Sequence, residues 1–211
     1  MNGLTLGRVL NGKPWQELQL KLVEAYNQPG RYYHNLLHIA AMLNFLESQR
    51  RQSHRLELEL AVWFHDAVYY PTRGDNEESS AAMASVELRN IHVPDDVILT
   101  VNKLIMLTKG HGVSKAKEYH EQIFLDADLM VLAQPWPEYL AYAQAIRKEF
   151  GSIRFDYYAK GRSEFLKKFL KRKKLYSHIF WAEDAARENM KKEIKILERS
   201  IRENSHISWV L

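Results

Sequence analysis

The chain has 211 residues, enough for one large domain with a substantial core. With 9 Gly, 6 Pro and no Cys it is neither turn-rich nor collagen-like, and any metal must rest on His, Asp or Glu rather than on thiolates. The net charge of +4 is unevenly spread: residues 160–204 hold 14 basic and 7 acidic side chains, while the remainder is net acidic.

Helical periodicity runs through almost the whole chain. Pro14 suits a first helical position, and Leu18, Leu22, Val23 and Tyr26 recur at helical spacing until Pro29-Gly30 stops the run. A second helix is expected from about Asn35 to Arg50, with Leu36, Ile39, Ala40, Leu43 and Leu46 on one face. A third, from about Leu56 to Val68, is apolar nearly all round at Leu60–Phe64, as befits a central buried helix. Tyr70–Gly74 forms a loop, after which Asp75 or Asn76 caps a helix to about Arg89 with Glu77 and Glu78 in its first turn.

Pro94 opens a further helix through about Leu107, which Gly110-His111-Gly112 breaks. Ser114 is placed to cap the segment leading into Ile123–Leu129, and Pro135 and Pro137 bracket the start of a helix to about Phe150. Two or three helices follow, the last from about Trp181 to Arg202. The fold class is therefore all-α, a single domain of eight to ten helices. No apolar run approaches the roughly 20 residues of a membrane helix, and Met1–Lys13 has no apolar signal core. The cytoplasm is the expected location, with no membrane partner.

Three places carry potential chemistry: Tyr33-His34-Asn35-Leu36-Leu37-His38, then His65-Asp66, then Asp126-Ala127-Asp128. His34 and His38, four apart, share a face on a helix; at a loop-to-helix entry one ligates metal while the other faces substrate. His65-Asp66 sits within the apolar run Ala61–Tyr69, where an unpartnered charge costs several kcal/mol. Either a divalent cation partners the imidazole and carboxylate, or Asp66 bonds a neighbouring helix end and His65 fills core space. Asp126 and Asp128, at i and i+2, point to nearly opposite sides of a helix, so at most one faces the same centre as His65.

This ordered set resembles the HD superfamily of metal-dependent phosphohydrolases, named for the adjacent His and Asp, over about Tyr32–Leu132. More narrowly it resembles a group of bacterial HD proteins with a Tyr-His-Asn-x-x-His opening (Tyr33–His38), a Phe-His-Asp-Ala-Val-Tyr centre (Phe64–Tyr69), an Asn-Glu-x-x-Ser-Ala stretch (Asn76–Ala81) and an Asp-Ala-Asp-Leu end (Asp126–Leu129). The likeness to that group extends to the Arg147–Glu149 region and the C-terminal helices. It implies one HD-type domain over residues 1–211, with a metal-binding core at about 32–132 and helices 136–204 packed on it. It also implies His38, His65, Asp66 and a later Asp as ligands. Asp128 is the choice because Ala-Asp-Leu matches the pattern at the fourth ligand, with Asp126 in reserve. Such a set suits Mn²⁺, Mg²⁺, Fe²⁺, Co²⁺, Ni²⁺ or Zn²⁺ without choosing among them.

The opening motif is also similar to that of the cyclic-nucleotide phosphodiesterases, which implies His34 as general acid beside ligand His38. The chain departs from that family after His65-Asp66, where Tyr69 and Tyr70 stand in place of a second His. Supporting roles are open. Glu77 or Glu78 either holds or deprotonates water or serves the helix start. Lys109 either meets a phosphate oxygen or water, His111 is a candidate for a further metal or for substrate, and Arg147 with Glu149 is either a site pair or a surface one. His54, His92, His120, His178 and His206 are read as surface residues.

The implied activity is metal-assisted hydrolysis of a nucleotide or other small phosphate ester, with His34, Asp66 and Glu77 catalytic and Lys109, His111 and Arg147 binding substrate. Two rival readings are a non-catalytic metal- and nucleotide-binding module, and nucleic-acid binding through Arg162, Lys167, Lys168, Lys171, Arg172, Lys173 and Lys174. In the second, Phe165, Phe169 and Tyr176 are interleaved with the basic residues, though at a spacing that also suits a core.

Overall fold

A computed structural model describes residues 12–49, 54–111 and 115–203. The described residues are all-helical, with no strand. The α-helices are α1 (Lys13–Tyr26), α2 (Leu36–Ser48), α3 (Arg55–Phe64), α4 (Asn76–Asn90), α5 (Asp95–Thr108), α6 (Tyr119–Leu129), α7 (Trp136–Glu149), α8 (Phe155–Leu170) and α9 (Glu183–Arg202). Short 3₁₀ turns cover Met130–Ala133 and Phe180–Ala182. The expected Ser114 cap lies outside the described residues. No helix among them is long and apolar enough to cross a membrane.

The chain falls into two compact units, Met1–Asp128 and Leu129–Leu211. The first is organised around α3. Leu60, Ala61, Val62, Trp63 and Phe64 are all at most 1% exposed, so this helix meets neighbours on every side, as its unbroken apolar run requires. Each large side chain buried there contributes about 1.5–3 kcal/mol. α1 begins with Pro in its first turn and buries Trp15, Leu18, Leu22 and Tyr26 along one stripe. The Tyr26 hydroxyl donates to the Trp63 carbonyl at 3.0 Å and so ties α1 to α3. Gly30, at φ +94°, supplies the left-handed backbone that turns the chain after α1.

Two boundaries differ from expectation. α3 stops at Phe64, with His65 as its C-cap, and does not run on to Val68. The reason is that the groups a longer helix needs are taken: the Val62 carbonyl accepts from His65 Nδ1, the Trp63 carbonyl from the Tyr26 hydroxyl and the Phe64 carbonyl from the Ala67 amide, while the Val68 amide donates to Ser80 Oγ. At the start of α4 neither Asp75 nor Asn76 caps with its side chain. Asp75 takes up Arg73, and Asn76 pairs with the Tyr70 backbone.

The second unit packs α7, α8 and α9 around a buried polar network. Arg162 donates to Glu193 through Nε (2.8 Å) and Nη2 (3.3 Å), and Nη2 also reaches the Tyr142 hydroxyl at 3.2 Å. The Tyr139 hydroxyl donates to the same carboxylate at 2.5 Å. Burial opposes the Arg162 charge, but Glu193 holds its pKa well above the ordinary value, so the guanidinium keeps its charge. Asn189 donates to the carbonyls of Leu132 (2.9 Å) and Gln134 (2.8 Å), anchoring α9 to the 3₁₀ turn after α6.

Candidate metal centre

Each chemical side chain stands at the end of a helix, where the backbone turns. Asn35 caps α2: its Oδ1 accepts from the Leu37 amide at 2.9 Å and its Nδ2 donates to the Tyr32 carbonyl at 2.9 Å. This puts His38 in the first turn of α2 and His34 in the turn before the cap, so the two do not share a helix face. His65 closes α3, and Asp128 is in the last turn of α6.

The three helix ends converge. His38 Nε2 lies 3.2 Å from His65 Nε2 and 3.2 Å from Asp128 Oδ1. His65 Nε2 is 3.8 Å from Asp128 Oδ1 and 3.0 Å from Asp66 Oδ2. Ligands held about 2.1 Å from one ion stand about 3.0–3.4 Å apart in octahedral or tetrahedral arrangement. Three of the four spacings fall in that range and the His65–Asp128 one is wider at 3.8 Å, and one ligand atom from each of His38, His65 and Asp128 falls within 4.8 Å of the others. This group can hold a metal ion, with Asp66 at its edge.

The far side of each imidazole is already committed. His65 Nδ1–H donates to the Val62 carbonyl at 2.8 Å, since a carbonyl can only accept. That leaves the Nε2 lone pair of the neutral ring facing the centre. His38 Nδ1 lies 3.1 Å from the Tyr33 hydroxyl, which can accept the Nδ1 proton and free Nε2 in the same way. Such partners orient metal-ligating histidines and raise their basicity.

The electrostatics show how strongly the centre calls for positive charge. Burial alone would push both carboxyls up, yet His65 and His34 hold Asp66 well below the ordinary range. His111 and His38 do the same for Asp128. Burial also disfavours a charged His65, but the carboxylates of Asp66 and Asp128 outweigh it and raise its pKa to about 9. His38, where burial dominates, is lowered. At neutral pH the centre therefore holds two carboxylates around an imidazolium, and a divalent ion would replace that proton.

Several residues not expected from sequence build this arrangement. Arg31 donates through Nη1 to the His34 carbonyl (3.1 Å) and the Asp66 carbonyl (2.7 Å), and through Nη2 to the Ala67 carbonyl (2.9 Å). Its guanidinium also lies over the rings of Tyr26 and Tyr69, at 5.1 and 5.6 Å. One side chain thus joins the His34 turn to the His65-Asp66 turn. Ser80 Oγ accepts from the Val68 amide (3.1 Å) and donates to its carbonyl (3.2 Å), while Asn76 pairs with the amide and carbonyl of Tyr70 (3.0 and 2.9 Å). In the Asn-Glu-x-x-Ser-Ala stretch the Asn and Ser therefore clamp the loop after His65. A polar residue at each end of that motif was the available signal. Arg31 gave none beyond its place after a turn.

The remaining candidates are distributed as follows. His34 stacks on Tyr69 with centroids 4.0 Å apart, and its Nε2 is 3.9 Å from Asp66 Oδ2. His111 Nε2 meets Asp128 Oδ2 at 2.8 Å, on the carboxylate oxygen turned away from His38. Asp126 is fully buried and is not part of the three-ligand group. Glu77 is half-buried in the first turn of α4. Lys109 is engaged by the Glu78 carboxylate and the Gly74 carbonyl, 3.1 Å away.

Arg147 belongs to the second unit, where it donates to the carbonyls of Phe150 (2.6 Å) and Ile153 (3.0 Å) and lies over Tyr158. It clips the α7–α8 turn, and Glu149 is buried, so the two do not form a surface pair. Of the histidines read as superficial, His54 and His92 are exposed. His178 is half-buried, His120 is half-buried against the His54 ring at 4.2 Å, and His206 lies outside the described residues.

The basic stretch is divided between inward and outward residues, with Lys168, Lys171, Lys173 and Lys174 exposed. Arg162, Phe169 and Tyr176 point into the second unit, Lys167 pairs with Glu198 at 2.7 Å, and Arg172 stacks on Phe169 at 3.7 Å. Compared with protein-family models, curated proteins and solved structures, the chain shows no significant match.

Proposed function

We propose that this protein is a metal-dependent phosphohydrolase of the HD type, acting in the cytoplasm on a nucleotide or another small phosphate ester. The observation that carries the reading is the convergence of His38, His65 and Asp128 at ligand spacing, with Asp66 3.0 Å from His65. These residues would hold one divalent cation, which when bound lowers the pKa of water and polarises a phosphoryl oxygen.

The chain's own residues supply the rest. Asp66, at the rim of the group and part-exposed, accepts the proton of the attacking water, and Glu77 is assigned the role of holding or deprotonating water. The water oxygen forms the new P–O bond as the ester P–O bond breaks. His34, beside Asp66 yet outside the ligand group, gives its Nε2 proton to the leaving oxygen. His111 orients Asp128 through its Nε2 and would reach a substrate phosphate only by leaving that carboxylate. Lys109 would reach a phosphate only by leaving Glu78.

The test is phosphate release from a panel of phosphorylated metabolites by protein loaded separately with Mn²⁺, Mg²⁺, Fe²⁺, Co²⁺, Ni²⁺ or Zn²⁺. Turnover with at least one metal, abolished by chelation and by Asp66→Ala, is expected. Absence of metal-dependent turnover across the panel would reject the enzyme reading.

A further inference from the structure

The geometry points to the loop between α8 and α9 as a docking surface for the face of an anionic phospholipid membrane. Phe180 and Trp181 are 78% and 70% exposed, two adjacent large aromatic side chains on one 3₁₀ turn. Isolated exposed apolar residues are ordinary, but a neighbouring aromatic pair held out in water is not. The same loop carries Lys171, Lys173 and Lys174, all exposed and in no ion pair among the described residues.

The loop is built to hold this shape. Glu183, at the start of α9, accepts from the amides of Leu175 (3.0 Å) and Tyr176 (3.4 Å). Arg187 donates to the carbonyls of Leu170 (2.9 Å) and Arg172 (2.7 Å), and to Glu183 itself (2.7 Å). These bonds fold residues 171–182 back on themselves, so the lysines and the aromatic pair occupy the same end of the α8–α9 hairpin. Buried Leu175, Tyr176 and Ile179 root the loop from beneath. The aromatic pair is therefore presented on a fixed support, and residues 171–182 contain no carboxylate.

The chemistry of the surface selects the occupant. Nucleic acid is read by arginine forks and by aromatic platforms spaced for successive bases. Here the single arginine is turned inward over Phe169, and the two aromatic residues sit at adjacent positions of one turn. Lysines on flexible stems around a Trp-Phe tip suit a lipid surface instead. The rings enter the headgroup layer, while the ammonium groups follow its diffuse negative charge. A contact of this kind needs no spanning segment and fits the cytoplasmic leaflet, which carries the anionic lipids.

The test is flotation of the full chain with vesicles of phosphatidylcholine containing about a third phosphatidylserine, beside vesicles of phosphatidylcholine alone and a single-stranded RNA oligonucleotide. Binding to the anionic vesicles only is expected, weakening with salt. The variant Lys171→Gln, Lys173→Gln, Lys174→Gln should lose on the order of 100-fold in affinity, from about fivefold per lysine near the surface. Phe180→Ala with Trp181→Ala should abolish binding at physiological salt. Both variants change exposed side chains, and an unchanged circular dichroism melt confirms that each is folded. No vesicle binding, equal binding to neutral vesicles, or retention by the aromatic variant would overturn the proposal. So would RNA binding without vesicle binding, or a dimer that the aromatic substitutions dissolve.

Discussion

Replacing Arg31 tests whether the centre is held by the backbone bonds that join its two turns. Arg31→Ala removes three charge-assisted hydrogen bonds, to the carbonyls of His34, Asp66 and Ala67. Each is worth about 1.5–3 kcal/mol at a buried site, and each of its two aromatic contacts adds about 0.5–1 kcal/mol. Against this stand the buried Nε, which has no partner, and about 2 kcal/mol of side-chain entropy regained by the variant. Water also refills the part-exposed site. With the hydrogen bonds discounted for that water, the net loss is about 2–4 kcal/mol, or roughly 4–16 °C in Tm at about 2–4 °C per kcal/mol for a chain of this size.

Because the lost bonds anchor the residue backing His65 and the turn carrying His34, metal affinity should fall as well. About 10–100-fold is the usual cost of removing a partner that orients ligands. Arg31→Lys keeps the charge but not the fork, and should fall between wild type and Arg31→Ala. The assays are a thermal melt of the chelated protein and calorimetric titration with Mn²⁺. An Arg31→Ala variant with unchanged Tm and metal affinity within twofold of wild type would refute the positioning role.

Four further outcomes are expected. His34→Ala should retain metal and lose about 10²–10⁴-fold in kcat, with a smaller loss on nitrophenyl esters, whose leaving group needs no proton; equal losses on both ester types would reject the acid role. Metal uptake at pH 7 should release about one proton, because His65 titrates near 9 and binds metal only when neutral. Apparent affinity should then rise about tenfold per pH unit and level off above pH 9, as read by calorimetry in buffers of differing ionisation enthalpy; a flat profile would contradict the assignment. In the chelated protein the same raised pKa contributes stability fully below about pH 6.5 and loses it as pH rises through 9. In the second unit, Glu193→Ala should cost about 3–5 kcal/mol in denaturant unfolding by stranding buried Arg162, and a loss under 1 kcal/mol would show that water enters freely.

The helices were legible because their signals are local. The all-round apolar run at Leu60–Phe64 marked the central helix, and Pro14, Pro94 and Pro135 lie at or beside helix starts. The end of α3 was not legible, since Ala67, Val68 and Tyr69 continue the apolar pattern. What stops the helix is competition for the groups that would extend it: His65 Nδ1 and the Tyr26 hydroxyl take the carbonyls of Val62 and Trp63, and Ser80 Oγ takes the Val68 amide. The choice of Asp128 over Asp126 as the residue facing the histidines rested on the resemblance, because i and i+2 periodicity allowed either. The structure sets Asp128 beside His38 and buries Asp126 elsewhere. Arg147 carries a turn contact that its motif did not announce, donating to the carbonyls of Phe150 and Ile153, because those acceptors lie after the helix that bears it.

The most direct test of the metal centre is the stoichiometry of bound metal. Protein loaded with Co²⁺ or Mn²⁺ and freed of excess by gel filtration should retain one ion per chain, measured by elemental analysis. His65→Ala and Asp128→Asn should retain none, and His34→Ala should retain the ion. Absence of metal in the wild type, or full retention in both ligand variants, would contradict the account.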